Sequence, residues 1–225
     1  MSLHIEFYGL PGSGKSTISR IIAQKLMDHG YTVQEPSNWV NNIVGAKKQL
    51  IKAVYSIAFT VEHPLASRQI CKYIRENGYK RTDLIKQFIN VSIKAREYLG
   101  NEPETIYVWD EGIAQATLSL VINNDCENAA LYERMILNLC QNNSRQVHVY
   151  IKEEIDVVLT RLKTRCTNYS RVEKTNDPDA QIELLHRFEK AAECIHSDIR
   201  IPGNNEPPQE IADQILDRLT LYLTQ

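Results

Sequence analysis

No stretch of this 225-residue chain approaches eighteen consecutive apolar residues, so no transmembrane helix and no membrane partner are expected. Near Met1 no basic segment precedes an apolar one; a secretion signal is not expected, and a cytoplasmic location is. Cysteine is scarce and scattered. Cys71, Cys126, Cys140, Cys166 and Cys194 form no C-x-x-C pair and no Cys/His cluster of zinc-finger spacing, which favours free thiols in a reducing cytosol. An excess of charge of one sign is missing too. The formal net charge of −2 leaves no polybasic face, which disfavours nucleic acid or an anionic membrane as the main partner. Internal repeats, the Leu-Ser-Gly-Gly signature of transporter ATPases and the Asn-Lys-x-Asp motif of guanine-nucleotide binders are all absent. What remains is ordinary for a globular chain, 43% hydrophobic and 24% charged, and long enough for one α/β core.

Residues 9–16 read Gly-Leu-Pro-Gly-Ser-Gly-Lys-Ser, a complete match to the phosphate-loop pattern G-x-x-x-x-G-K-[ST]. Before it, Leu3-His4-Ile5-Glu6-Phe7-Tyr8 alternates apolar and polar as a strand does. After it, Thr17–His29 carries Ile18, Ile21, Ile22 and Leu26 at helical spacing. Strand, loop and helix are the context in which the motif works. The glycines let several backbone N–H groups point at one anion, and the helix start adds partial positive charge. The motif predicts a nucleoside triphosphate on Gly12, Ser13, Gly14, Lys15, Ser16 and Thr17. Lys15 is expected to reach the β- and γ-phosphates, and the Ser16 hydroxyl to take a place on Mg²⁺.

Five short apolar segments, residues 3–8, 32–35, 105–109, 146–151 and 198–201, read as strands separated by helices. That alternation predicts a P-loop NTPase three-layer α/β sandwich with a five-stranded, mostly parallel sheet. The whole chain, 1–225, reads as a single domain. Between the second and third strands, Lys47–Val61, Leu65–Asn77 and Thr82–Leu99 look like three successive helices, broken at His63-Pro64 and Gly78. They predict a helical lobe over residues 45–100 that covers the substrate. Tyr55, Phe59, Gln69, Tyr73, Gln87 and Phe88 would suit a flat ring there, but are equally core and surface of ordinary helices. Near the end, the turn at 201–205 either lies against the adenine ring or is an ordinary connection.

Several polar residues carry candidate chemistry. Asp110 closes an apolar strand beside the phosphate-loop strand, where a carboxylate can hold Mg²⁺; the alternative is that it caps the next helix. Glu111, one residue on, would serve the metal, the substrate or an attacking water. Glu35 ends the second strand, opening on the same crevice, and could accept a proton from a substrate hydroxyl. In Ile155–Arg165, Arg161 and Arg165 share one helix face at i, i+4, a like-charge pair that a phosphate would neutralise. With Arg171 they suggest a lid over 161–177 whose arginines stabilise charge on a transferring phosphoryl group. A solvated basic face is the plainer reading.

These landmarks resemble the nucleoside and nucleotide kinases of the P-loop class, especially thymidylate kinases and deoxynucleoside kinases. The resemblance rests on residues 9–17, Glu35-Pro36, Asp110-Glu111, Arg161, Arg165 and Arg171, and a final strand–turn–helix. Those families follow the third-strand acid with an arginine that meets the acceptor; here Glu111-Gly112 stands instead. The resemblance implies transfer of the γ-phosphoryl of ATP-Mg²⁺ to a small acceptor, a nucleoside, a nucleotide or another hydroxylated metabolite. Lys15, Glu35, Arg161, Arg165 and Arg171 would act in catalysis, and Ser16, Asp110 and Glu111 would hold the metal. It also implies a homodimer. The alternative from another class is a P-loop ATPase serving as a regulatory switch, with Asp110-Glu111 as a metal-plus-water pair.

Overall fold

The computed structural model describes residues 2–36, 46–76, 81–99, 102–121, 144–165, 170, 172–203 and 206–223. Its sheet has five strands: β1 (Ser2–Gly9), β2 (Val33–Gln34), β3 (Ile106–Trp109), β4 (Ser144–Lys152) and β5 (Ile199–Pro202). They lie in the order β2-β3-β1-β4-β5, and every pairing is parallel. Each of the five segments read from the sequence is a strand. The chain therefore folds as a parallel sheet with helices on both faces, and its C-terminal strand ends open on one crevice.

Strand β1 is buried along its whole length. Leu3, Ile5 and Phe7 pack with Ile18, Ile22 and Leu26 of α1 (Lys15–Asp28) and with Ile211, Ile215 and Leu219 of α8 (Pro208–Leu223). Tyr8, on the other face, packs with Leu118 of α5 (Ile113–Val121), Val158 and Leu162 of α6 (Ile155–Thr164), and Leu185 and Phe188 of α7 (Pro178–Cys194). A central strand of a parallel sheet has no solvent face. The polar half of its alternation, His4 and Glu6, is therefore 0% exposed rather than facing water.

Helices α2 (Ala46–Glu62), α3 (Pro64–Glu76) and α4 (Arg81–Leu99) follow β2, as the sequence predicts. Phe59, Ile70, Ile74, Val91 and Tyr98 from these helices bury against Tyr107 and Trp109 of β3 and Ile113 of α5. The helical lobe thus shares a core with the sheet. Helix α7 lies outside the sequence expectations, although its start is a legible signal. Asp177 accepts a hydrogen bond from the Asp179 N–H (3.0 Å) and Pro178 takes the first helical position. No described helix is long and apolar enough to cross a membrane.

Candidate active site

Between β1 and α1 the backbone turns through Gly12 (φ 85°) and Gly14 (φ 90°), left-handed conformations that a side chain would strain. Gly14 stands at the N-cap of α1, and no side chain caps that end. The helix start is thus left to an external acceptor, as an anion site requires. Lys15 is buried, and its Nζ donates to the Gly9 carbonyl (3.1 Å) and the Leu10 carbonyl (2.8 Å). Burial lowers its pKa from 10.5 to about 8; Glu111 and Asp110 oppose the shift, and Arg165 adds to it.

A cavity of about 490 Å³ opens over this loop. Gly12, Gly14, Lys15, Ser16 and Thr17 line its floor, with Glu111 and Arg165 beside them. The opposite wall is the helical lobe, through Lys52 of α2 and Gln87, Asn90, Lys94 and Glu97 of α4. Gln115 of α5 also lines it and accepts a hydrogen bond from the Gly9 N–H through Oε1 (3.1 Å). Of the six lobe residues suited to a flat ring, Gln87 alone lines this cavity, while Phe59 belongs to the core. Polar spacing at 87, 90, 94 and 97 on one helix was the available signal for the α4 wall.

The remaining predicted residues sit apart from the cavity lining. Ser13, within the loop, is buried and does not line the cavity. Glu35 is half-buried just after β2; its neighbour Pro36 reaches the cavity, whereas Glu35 is not part of the lining. Asp110 does not line the cavity but is close enough to act electrostatically on Lys15. Asp110 does not cap α5. The Glu6 carboxylate takes that place, its Oε1 accepting from the Ala114 N–H (2.5 Å) and the Gln115 N–H (3.3 Å). Asp110 Oδ1 is buried and has no hydrogen-bond partner among the described residues. A carboxylate oxygen left so, next to the phosphate loop, fits a cation. Among the described residues no three His, Cys, Asp or Glu side chains are placed to hold a metal ion, so a metal here would need ligands from phosphate or water, as Mg²⁺ commonly takes.

Helix α6 ends at Thr164, and Arg165 is its extended C-cap (φ −80°, ψ 117°), so the two arginines diverge rather than stack at i, i+4. Arg165 reaches the cavity. Arg161 instead donates through Nη1 to Glu153 Oε2 (2.7 Å) and, at 3.4 Å, to the Gly12 carbonyl. The anion that its charge required is thus the protein's own carboxylate, and the pair braces the phosphate loop. Glu153 is 3% exposed and the Arg161 side chain 39%. Arg161→Gln should therefore destabilise the fold by about 1–2 kcal/mol, less than for a fully buried pair. A urea midpoint equal to that of the unsubstituted protein would refute this. Arg171 and the lid stretch 166–169 lie outside the described residues, as do Asn204 and Asn205 of the last turn.

A second cavity, about 510 Å³, lies on the far side of Pro36 and Glu97. Several of its polar groups pair with one another. Arg96 clasps both carboxylate oxygens of Glu62 (2.9 Å each), and Gln34 donates to Glu102 (3.1 Å).

The fold is one that solved structures of small-molecule kinases share. No family model matches the chain, and no curated relative does. Solved structures do match in fold. The APS kinase of Mycobacterium tuberculosis, in complex with AMPPNP and APS, superposes with a TM-score of 0.52 at 13% identity, over 97% of this chain and 98% of that one. The deoxyadenosine kinase of M. mycoides with bound dATP gives 0.51 at 16% identity, over 96% and 98%. The same enzyme with bound dCTP gives 0.50 at 17%, over 98% and 99%. At such identities the likeness is one of fold.

Proposed function

We propose that this protein is an ATP-dependent small-molecule kinase of the cytoplasm, transferring the γ-phosphoryl to a hydroxyl or phosphate of a nucleoside-like, nucleotide-like or other hydroxylated metabolite. One observation carries the reading. A single cavity is lined on one side by the phosphate loop and on the other by the helical lobe, so triphosphate and acceptor can share one enclosure. A bare ATPase has no need of the second wall. Ser16, Asp110 and Glu111 are the residues that would hold Mg²⁺, which when bound offsets charge on the β- and γ-phosphates. Lys15 and Arg165 stabilise the negative charge of the transferring group. Glu35 serves as base toward the acceptor once closure of the lobe carries it inward, and Glu111 is its competitor for that role. Arg161 contributes by holding the loop, and the role expected of Arg171 falls on a residue outside the described ones.

The test is ADP release from ATP-Mg²⁺ with and without pools of nucleosides, nucleotides, sugars and aminoglycosides. Strong stimulation by one pool, absent in Lys15→Ala, is the expected result. Slow turnover indifferent to every pool would favour the ATPase switch, for which Glu111 beside Lys15 is the supporting feature.

A further inference from the structure

Helix α2 carries apolar side chains on two opposite faces. Toward the protein, Phe59 joins the lobe core, the Ser56 hydroxyl accepts from that of Ser92 on α4 (2.9 Å), and Lys52 donates to Asn90 (3.2 Å). Half a turn away stand Leu50, Val54, Ile57 and Val61, and Leu65 at the start of α3 continues their line. These five are between 54% and 76% exposed. Given the pitch of an α-helix, residues 50, 54, 57 and 61 fall within an arc of about 60°. A surface helix ordinarily turns charged and polar residues to that side. Single exposed apolar residues are common, but an unbroken row is not. This one offers on the order of 500 Å² per copy, the size at which an apolar patch marks an interaction site.

The spacing of the row says what covers it. The gaps along α2 are four, three and four residues, which read the same from either end. Laid antiparallel on a second copy, about a two-fold axis level with residues 55 and 56, the helix sets Leu50 against Val61 and Val54 against Ile57. Every apolar residue of the α2 row then meets an apolar one. Charge agrees with this direction. Lys47 is exposed in the first turn, the end of its own helix that disfavours a cation. The antiparallel copy brings its C-terminal turn, the end that favours one, beside Lys47. The last turn of α2 holds no basic residue of its own, and Glu62 there stays paired with Arg96 (2.9 Å). Across the two-fold the two rows bury about 1,000 Å², the lower bound for a specific interface. We infer that the outer face of α2 is a self-association surface, on which the protein pairs with a second copy of itself, α2 against α2 in antiparallel order. The pairing face and the cavity face are opposite sides of one helix, since Lys52 lines the cavity. Neither the surface nor its test depends on the kinase reading.

The test is the mass of the full chain in solution, by sedimentation equilibrium at about 100 µM, where an interface of this size should hold. The mass of two chains is expected. Ile57→Lys and Val54→Glu each place a charge in the apolar row twice per pair. Each should weaken association at least about a hundredfold, leaving single chains. Leu221→Lys, at an exposed apolar residue of α8, should leave the pair intact. Mixing the Ile57→Lys chain with the Val54→Glu chain should restore the two-chain mass, because the lysine of one meets the glutamate of the other across the two-fold. The mixture also decides the case in which a variant chain fails to fold alone. A pair that survives Ile57→Lys, a pair lost equally in Leu221→Lys, or a mixture that stays as single chains each overturns the proposal. So does a single-chain mass for the parent, which would mean that the stripe is covered by the chain's own residues or by a partner of another kind.

Discussion

Replacing Lys15 by methionine will remove at least about a hundredfold of the ATP-dependent turnover and will at the same time stabilise the folded protein at pH 7. The two effects share a cause. Lys15 is buried with its pKa lowered from 10.5 to about 8. Folding therefore opposes the charged form, a penalty of about 3 kcal/mol by the usual conversion of pKa to free energy. Its hydrogen bonds to the Gly9 and Leu10 carbonyls return about 1 kcal/mol each, so methionine gains on the order of 1 kcal/mol at neutral pH. The sign with pH follows from the lowered folded value. Below about pH 8 both states carry the charge and the penalty is complete. Between about 8 and 10.5 the folded state is neutral while the unfolded chain still binds the proton, so stability rises with pH. The gain of Lys15→Met over the parent should thus shrink above pH 8 and reverse by about pH 10.5. Urea midpoints at pH 7, 9 and 10.5 decide it. A variant less stable than the parent at pH 7 would show that the lysine is no burden to the fold.

Glu6→Ala should be the most destabilising single change near the site, by about 3–5 kcal/mol. The Glu6 carboxylate is 0% exposed and joins three elements. Its Oε2 accepts from the Tyr98 hydroxyl of α4 (2.6 Å), and its Oε1 from the first turn of α5. His148 Nε2 of β4 stands 4.0 Å away. Removing the carboxylate strands a phenol and a helix N-terminus inside the protein. Gly112 belongs to the same arrangement. A Cβ there would stand 2.2 Å from the Glu6 carboxyl carbon, so Gly112→Ala should cost about 1–3 kcal/mol. In the double variant the added methyl meets the space that Glu6 vacates. The two losses should fall short of additivity by more than about 1 kcal/mol in urea unfolding. Strict additivity would sever Gly112 from Glu6. The pair also accounts for the glycine at position 112. The carboxylate that fills this place belongs to the strand below, and it leaves no room for a side chain.

Local chemistry made much of this protein readable. The phosphate loop declares itself because its glycines, lysine and serine lie within eight residues, and a loop that short has its geometry decided by local φ and ψ. Strands and most helices were readable for a similar reason. Periods of 2 and 3.6 are properties of neighbouring residues, and breaks such as His63-Pro64 act locally. Asp110-Glu111 was recognisable as a strand-end acidic pair. Which of the two faces the cavity was not, because that depends on how the turn leaves the sheet.

What only the tertiary structure decided concerns partners far apart in the chain. Arg161 and Arg165 read as twin phosphate ligands at helical spacing. One meets Glu153 and the other reaches the cavity, because the helix ends between them. Glu6 read as the polar half of an alternating strand. It became a buried cap for a helix more than a hundred residues away, because β1 lies at the centre of the sheet and neither of its faces meets water. Asn90 and Lys94 showed only polar spacing along one helix, and Lys52 carried no signal at all. They became one wall only when α2 and α4 packed side by side, a juxtaposition set by the shared core and by no local rule. The sequence by itself determined the phosphate loop, the strands and the class of fold. The long-range packing decided which charges face the cleft and which ones neutralise each other.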